Sequence, residues 1–286
     1  MKEHSIEGCY DFLQVALQSP SDTRGSRVSD AFIQFTDVTK RFGPKEVYRG
    51  LDLKIHKGEV FTVVGGSGVG KSVMLKMLIG LLQADSGSIT FAGDDITRMN
   101  EAELGLVRQR IAMLFQSGAL FDSLTVGENV RYGLDEHFHT KMTLAEKNER
   151  VAWALGLVAL PGIEEMWPAD LSGGMKKRVG LARAIAVQPE VVLYDEPTTG
   201  LDPINTARVN HMITGLQDKL NFTSIVVTHD MKSAFTISDR MAMVFDGRII
   251  HSGSVEEFRA CQDPRVSDFI EGRAPVREDV ETLLRG

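Results

Sequence analysis

"VVGGSGVGKSVM", residues 63–74, sets four glycines and a serine in front of one lysine, between two apolar runs. Gly65, Gly66, Gly68 and Gly70 free the backbone to curl and leave little side-chain bulk. Lys71 and Ser72 follow at once, so the stretch fits G-x(4)-G-K-[ST], with Ser67 and Val69 inside the loop and Val73 just beyond it. The backbone N–H groups of such a loop, and the N-terminus of the helix after it, face the oxygens of a phosphate. In this reading Lys71 reaches the β- and γ-phosphates of a nucleotide and the Ser72 hydroxyl ligates Mg²⁺. The flanks agree. "EVFTVV" (59–64) is a β-branched and aromatic run ending at the loop, and "SVMLKMLIGLL" (72–82) follows with helical apolar spacing.

The 286 residues are 43% hydrophobic and 25% charged, which is ordinary for a soluble globular chain with a sizeable core. No apolar run approaches the roughly 18 to 20 residues that span a bilayer. The first residues, "MKEHSIEGCYDFLQ", lack the basic-then-apolar pattern of a secretory signal, so a cytoplasmic location is expected. Cys9 and Cys261 lie far apart and form no metal-type spacing. The net charge of -7 argues against a nucleic-acid partner.

Residues 1–29 end in the Ser/Asp/Gly-rich "SPSDTRGSRVSD" and read as a flexible lead-in, with one short helix possible at "YDFLQVAL". "FIQFTDVTKRF" (32–42) and "EVYRGLDLKIHKGE" (46–59) read as two strands joined by a turn at Gly43-Pro44. From about 100 to 165 the pattern is helical. Asn100 is placed to cap one helix, and Thr143 with Glu146 spells a capping box for another. Residues 171 to about 250 then alternate helix and strand. The expected fold is α/β: a phosphate-loop nucleoside triphosphatase core at 30–255, with an antiparallel β lead and an inserted helical subdomain at about 100–188. Residues 256–286 form a C-terminal extension.

"EVVLYDEPTTGLD" (190–202) places an apolar run, typical of a buried parallel strand, directly before Asp195 and Glu196. Acids at the carboxyl end of such a strand sit where open α/β sheets bind ligands. Asp195 is the candidate for holding Mg²⁺. Glu196 is placed to orient or deprotonate the water that attacks the γ-phosphate.

"LSGGMKKRVGLARAIAVQP" (171–189) decides the class. Ser172, Gly173 and Gly174 precede a helix with basic residues on one side, and that N-terminus can present N–H groups and a hydroxyl to an anion. Together with the opening loop and the Asp195-Glu196 pair, residues 32–255 resemble the ATP-binding-cassette family. The resemblance implies ATP and Mg²⁺ as ligands and a homodimer in which each phosphate loop faces the other chain's Ser172–Gly174. It implies that Phe42 stacks on adenine, and that Gln116 in "MLFQSGALF" joins the catalytic and metal-binding residues and links them to the helical subdomain. It further implies that Gly200-Leu201-Asp202 meets its counterpart near the nucleotide across the dimer. His229, after the strand "SIVVTH", would contact the γ-phosphate. Met175 departs from the glutamine usual in that signature, and a thioether is a poor hydrogen-bond partner. Val73 stands where many members have threonine.

The L-S-G-G-M form, "FQSGALFDSLTVGENV" and "GGSGVGKSVMLKMLIGLL" look like the branch that powers bacterial phospholipid transporters maintaining outer-membrane asymmetry. The implied partners are an integral-membrane permease and accessory, Mce-type lipid-binding subunits, with the ATPase on the cytoplasmic face of the inner membrane. An importer of amino acids or another small nutrient is the alternative. A DNA-repair head would need a long coiled-coil insertion, for which Gln116 to Leu171 leaves no room. In the extension, Val255, Phe258, Val266, Phe269 and Ile270 are spaced for a helical stripe that packs either on this chain's own cassette or on a partner. On the second alternative, truncation after Gly253 would leave a folded chain.

Overall fold

The structure, a computed structural model, describes residues 31–115, 118–138 and 141–273. The expected hairpin forms. Strands β1 (Ile33–Phe42) and β2 (Lys45–Ile55) pair antiparallel, from Ile33 opposite Ile55 to Phe42 opposite Lys45. Strand β4 (Ser86–Phe91) pairs with the other edge of β1, and the two-residue β5 (Asp94–Asp95) completes a sheet in the order β2-β1-β4-β5.

The second sheet carries the chemistry. It comprises β3 (Val60–Val64), β6 (Ile111–Leu114), β7 (Val191–Asp195), β8 (Thr223–Thr228), β9 (Arg240–Phe245) and β10 (Arg248–Ser254), in the order β10-β9-β3-β8-β7-β6. All pairs are parallel except β9 with β10. Every residue of β3 and β8 is buried, which is why both read as near-continuous apolar or β-branched runs rather than alternating ones.

The helices are α1 (Lys71–Leu78), α2 (Glu101–Arg110), α3 (Val126–His137), α4 (Leu144–Leu157), α5 (Gly173–Ala186), α6 (Pro203–Leu220), α7 (Met231–Ile237), α8 (Val255–Arg259) and α9 (Pro264–Glu271). Asn100 caps α2 and Thr143 caps α4, each with its reciprocal glutamate, Glu103 and Glu146. Helices α3, α4 and α5 pack on one another around Val130, Leu134, Val151, Leu155, Val179 and Leu181. The stretch expected to be helical from about 100 to 165 is interrupted, because Ile111–Leu114 forms β6 at the edge of the main sheet. Four residues are too few to show a strand period, and the run directly continues the end of α2.

The front of the C-terminal extension seats on its own cassette. Phe258 and Val266 are fully buried with Val64, Ala234, Met241 and Met243, and Val255, Phe269 and Ile270 pack against the same cluster. The Arg259 guanidinium lies 4.0 Å from the Phe235 ring centroid. Cutting after Gly253 would therefore uncover core, which revises the expectation of an undisturbed fold. The lead-in, with its helix at "YDFLQVAL", and residues 274–286 lie outside the described residues.

Candidate nucleotide site

Three neighbouring strands end level with one another. Val64 of β3 stands opposite Thr228 of β8, and Val227 of β8 opposite Asp195 of β7. The loop after β3, the acid pair after β7 and the histidine after β8 are thereby delivered to one edge.

The loop curls as its glycines require. Gly70, the residue before α1, has φ 109°, and a Cβ there would lie 2.5 Å from Val47 Cγ1. Its carbonyl accepts a hydrogen bond of 2.8 Å from the buried Tyr48 hydroxyl. At Gly65 a Cβ would meet the Val244 carbonyl oxygen at 2.6 Å, whereas Gly68 opens on free space. No side chain caps α1, so its first N–H groups, those of Lys71 and Ser72, are left for an anion.

Lys71 is only 6% exposed. Its Nζ donates to the Gly65 and Gly66 carbonyls at 2.8 and 2.9 Å and lies 3.4 Å from Glu196 Oε1. Ser72 Oγ donates to Asp195 Oδ1 at 2.7 Å, which puts a hydroxyl and a carboxylate side by side as oxygen donors of the kind Mg²⁺ takes. His229 Nδ1 lies 2.9 Å from Glu196 Oε2, and the Thr199 and Thr228 hydroxyls donate to that same oxygen at 3.1 and 3.2 Å. Burial pushes the Glu196 carboxyl up, but the His229 hydrogen bond, the Lys71 and His229 charges and Thr199 carry it below the usual glutamate range. Glu196 thus stays a carboxylate, an acceptor ready for the proton of a water. Its backbone is left-handed, with φ 51°, a conformation that costs a non-glycine residue about 1–3 kcal/mol.

The structure brings Lys71, Ser72, Asp195, Glu196 and His229 together. It places Phe42 at the end of β1, 46% exposed, with Lys40 Nζ 5.3 Å from its ring centroid. Ser172 caps α5, its Oγ accepting from Met175 N at 3.3 Å. Asp202 caps α6 through Ile204 N and Asn205 N, and these bonds hold its carboxyl below the usual range. Among the described residues, no hydrogen bond or ion pair joins Phe42, Ser172, Gly173, Gly174 or Asp202 to the Lys71 cluster. Gln116 lies outside the described residues. Tyr48, Thr199 and Thr228 are additions that the sequence reading missed. Only Thr228 left a signal, as the hydroxyl that ends a buried strand directly before His229.

A glycine loop between a buried parallel strand and a helix, its lysine facing an acid pair from a neighbouring strand, defines a phosphate-loop nucleotide hydrolase. A family model described as ABC transporter matches residues 48–199, and the chain belongs to that family as an ATPase coupled to transport. It is 39% identical to the intermembrane phospholipid transport system ATP-binding protein MlaF of Haemophilus influenzae, over 86% of this chain and 93% of that one. Against MlaF of Escherichia coli K12 the identity is 36%, over 85% of this chain and 89% of that one. The probable ribonucleotide transport ATP-binding protein mkl of Mycobacterium tuberculosis is 40% identical over 84% of this chain and 67% of its own length. Among solved structures, the ATP-binding cassette MJ0796, a dimer in a post-hydrolysis state with ADP and Pi, matches with TM-score 0.72 and 28% identity. That match covers 78% of this chain and 98% of the other. Among the described residues no helix is long and apolar enough to cross a membrane.

Proposed function

We propose that this ATPase powers the movement of phospholipids between membranes. The observation that carries the reading is the likeness to the intermembrane phospholipid transport ATP-binding proteins of Haemophilus and Escherichia, each matched over most of both chains. In this reading Lys71 and the N-terminus of α1 hold the β- and γ-phosphates of ATP. Ser72 and Asp195, with Gln116, would hold Mg²⁺, which would neutralise charge on the phosphates. Glu196 accepts a proton from the attacking water, and His229 orients that carboxylate and faces the γ-phosphate. Phe42 packs against adenine. Ser172, Gly173, Gly174 and Asp202 serve the nucleotide of a second copy, so two chains share two sites. From the cytoplasmic face of the inner membrane the ATPase passes its work to an integral-membrane permease, with accessory and Mce-type lipid-binding subunits beyond it.

The mycobacterial relatives, probable ribonucleotide transport ATP-binding proteins, support a second reading. Both are tested by co-purifying the chain with its membrane partners and reconstituting the complex in vesicles. ATP-dependent transfer of a fluorescent phospholipid between vesicles, abolished by Glu196→Gln, is expected. ATP-dependent uptake of a ribonucleotide without lipid transfer would replace the first reading with the second.

A further inference from the structure

Helix α5 carries Lys177, Arg178 and Arg183, and all three donate to backbone carbonyls of separate loops. Arg178 reaches Val158 and Ala159, and Arg183 reaches Gly118 and Ala119. Lys177 goes to the segment directly after Glu196: its Nζ donates to the Pro197 carbonyl at 3.0 Å and the Thr199 carbonyl at 2.7 Å. The side chain is 7% exposed, an unusual place for a lysine. Burial pulls its ammonium below the usual lysine range, and the charge of Glu196 opposes that pull.

The segment it grips is anchored at its start, where Glu196 N donates to the Val227 carbonyl at 2.9 Å and the Thr199 hydroxyl returns to Glu196, but its backbone beyond Glu196 is weakly tied. Glu196 is left-handed, Pro197 has no N–H, and the local turns rest on long bonds, Thr199 N to Glu196 O at 3.3 Å and Leu201 N to Thr198 O at 3.2 Å. Among the described residues no backbone N–H reaches the Pro197 or Thr199 carbonyls, so Lys177 is what satisfies them. A buried charge spent on two carbonyls is costly unless the geometry it enforces matters.

We infer that Lys177 is a positioning residue for hydrolysis, tying α5 to Pro197–Thr199 so that the Glu196 carboxylate and the turn to Asp202 move with the helix that begins at Ser172. The inference rests on Glu196 acting as the base. Because Lys177 sits five residues from Ser172, any ligand held at the start of α5 shifts the same rigid helix that grips the catalytic turn. Through this contact, events at the signature would reach a glutamate that the signature does not touch.

The test uses the full-length protein. Lys177→Met keeps the length of the side chain and removes the donor. We expect faster amide hydrogen exchange confined to residues 196–202, and kcat for ATP lowered roughly 10- to 100-fold, the scale on which small misplacements act. KM is expected within about two-fold of wild type, a split that simple loss of ATP binding does not give. Lys177→Arg, whose guanidinium can donate to both carbonyls, should recover most of the rate. Wild-type kcat in Lys177→Met would overturn the inference, as would exchange that rises evenly over the whole chain with KM. Should the Met variant not fold, Lys177→Gln is judged by the same criteria. Glu196→Gln is run beside them: if it hydrolyses ATP normally, the assignment of the base fails, while the exchange at 196–202 still decides whether Lys177 holds the turn.

Discussion

Two helices of this chain begin at glycine-rich turns, and they are finished differently. At the start of α1, Gly70 offers no side-chain cap, and the lysine and serine that follow are already tied to partners in the same chain, Glu196 and Asp195. At the start of α5, Ser172 closes its own cap onto Met175 N, and the glycines beside it meet no charged partner among the described residues. The first helix start is a site assembled from one chain. The second is a stable end that presents glycine backbone outward, with its basic residues engaged behind it. The proposed sharing of sites between two copies rests on this difference, since the α5 start offers backbone N–H groups to a ligand that its own chain does not bring to it.

The largest effects should fall on the α1 side. Glu196→Gln should lower turnover by roughly 10²- to 10⁴-fold while ATP still binds, checked by phosphate release and nucleotide titration. Lys71→Ala should lower turnover at least about 100-fold and weaken ATP binding as well, since it removes a cation from the phosphates. A next test breaks the comparison directly. In a dimer with Lys71→Ala in one chain and Ser172→Arg in the other, one site built from two intact halves should remain active, whereas dimers carrying either change in both chains should be inactive. Equal inactivity of mixed and homogeneous dimers would count against a shared site.

Smaller effects test the caps. Ser172→Ala loses the bond to Met175 N and should cost about 1 kcal/mol of stability, a fall in melting temperature of roughly 2–4 °C for a chain of this size. The smallest effect is a pH dependence. Glu196 is held below its ordinary value of 4.5, so its ionised form favours the fold. That contribution is present above about pH 4.5 and fades as the pH falls through the lowered value. The difference in melting temperature between wild type and Glu196→Gln should accordingly shrink as the pH falls below 4.5.

Local signals made much of this legible. The strand, loop and α1 follow from residues 59–82, the first hairpin from Gly43-Pro44, and the caps of α2 and α4 from Asn100 and Thr143 with their glutamates. Thr125 with Glu128 spells the same box before α3. What stayed hidden depends on contacts across the chain. Ile111–Leu114 is a strand because β7 lies beside it, and Lys177 is a buried donor because Pro197 and Thr199 fold over it. The helical spacing of Val266, Phe269 and Ile270 was readable, but that they pack against Val64 and Met243 was not. Periodicity says that a face is apolar without saying what covers it.

The order of strands has a consequence for the birth of the molecule. Strand β3, which delivers the phosphate loop, pairs only with β8 and β9, and the nearer of these in sequence begins at Thr223. Domains fold as units during synthesis, and pairing across such long stretches of chain is slow. On the ribosome the strand leading to Lys71 therefore waits for its sheet partners until more than 150 further residues have been made. The defining motif of the site is among the first parts made, and the strands that bring Asp195, Glu196 and His229 to it are among the last.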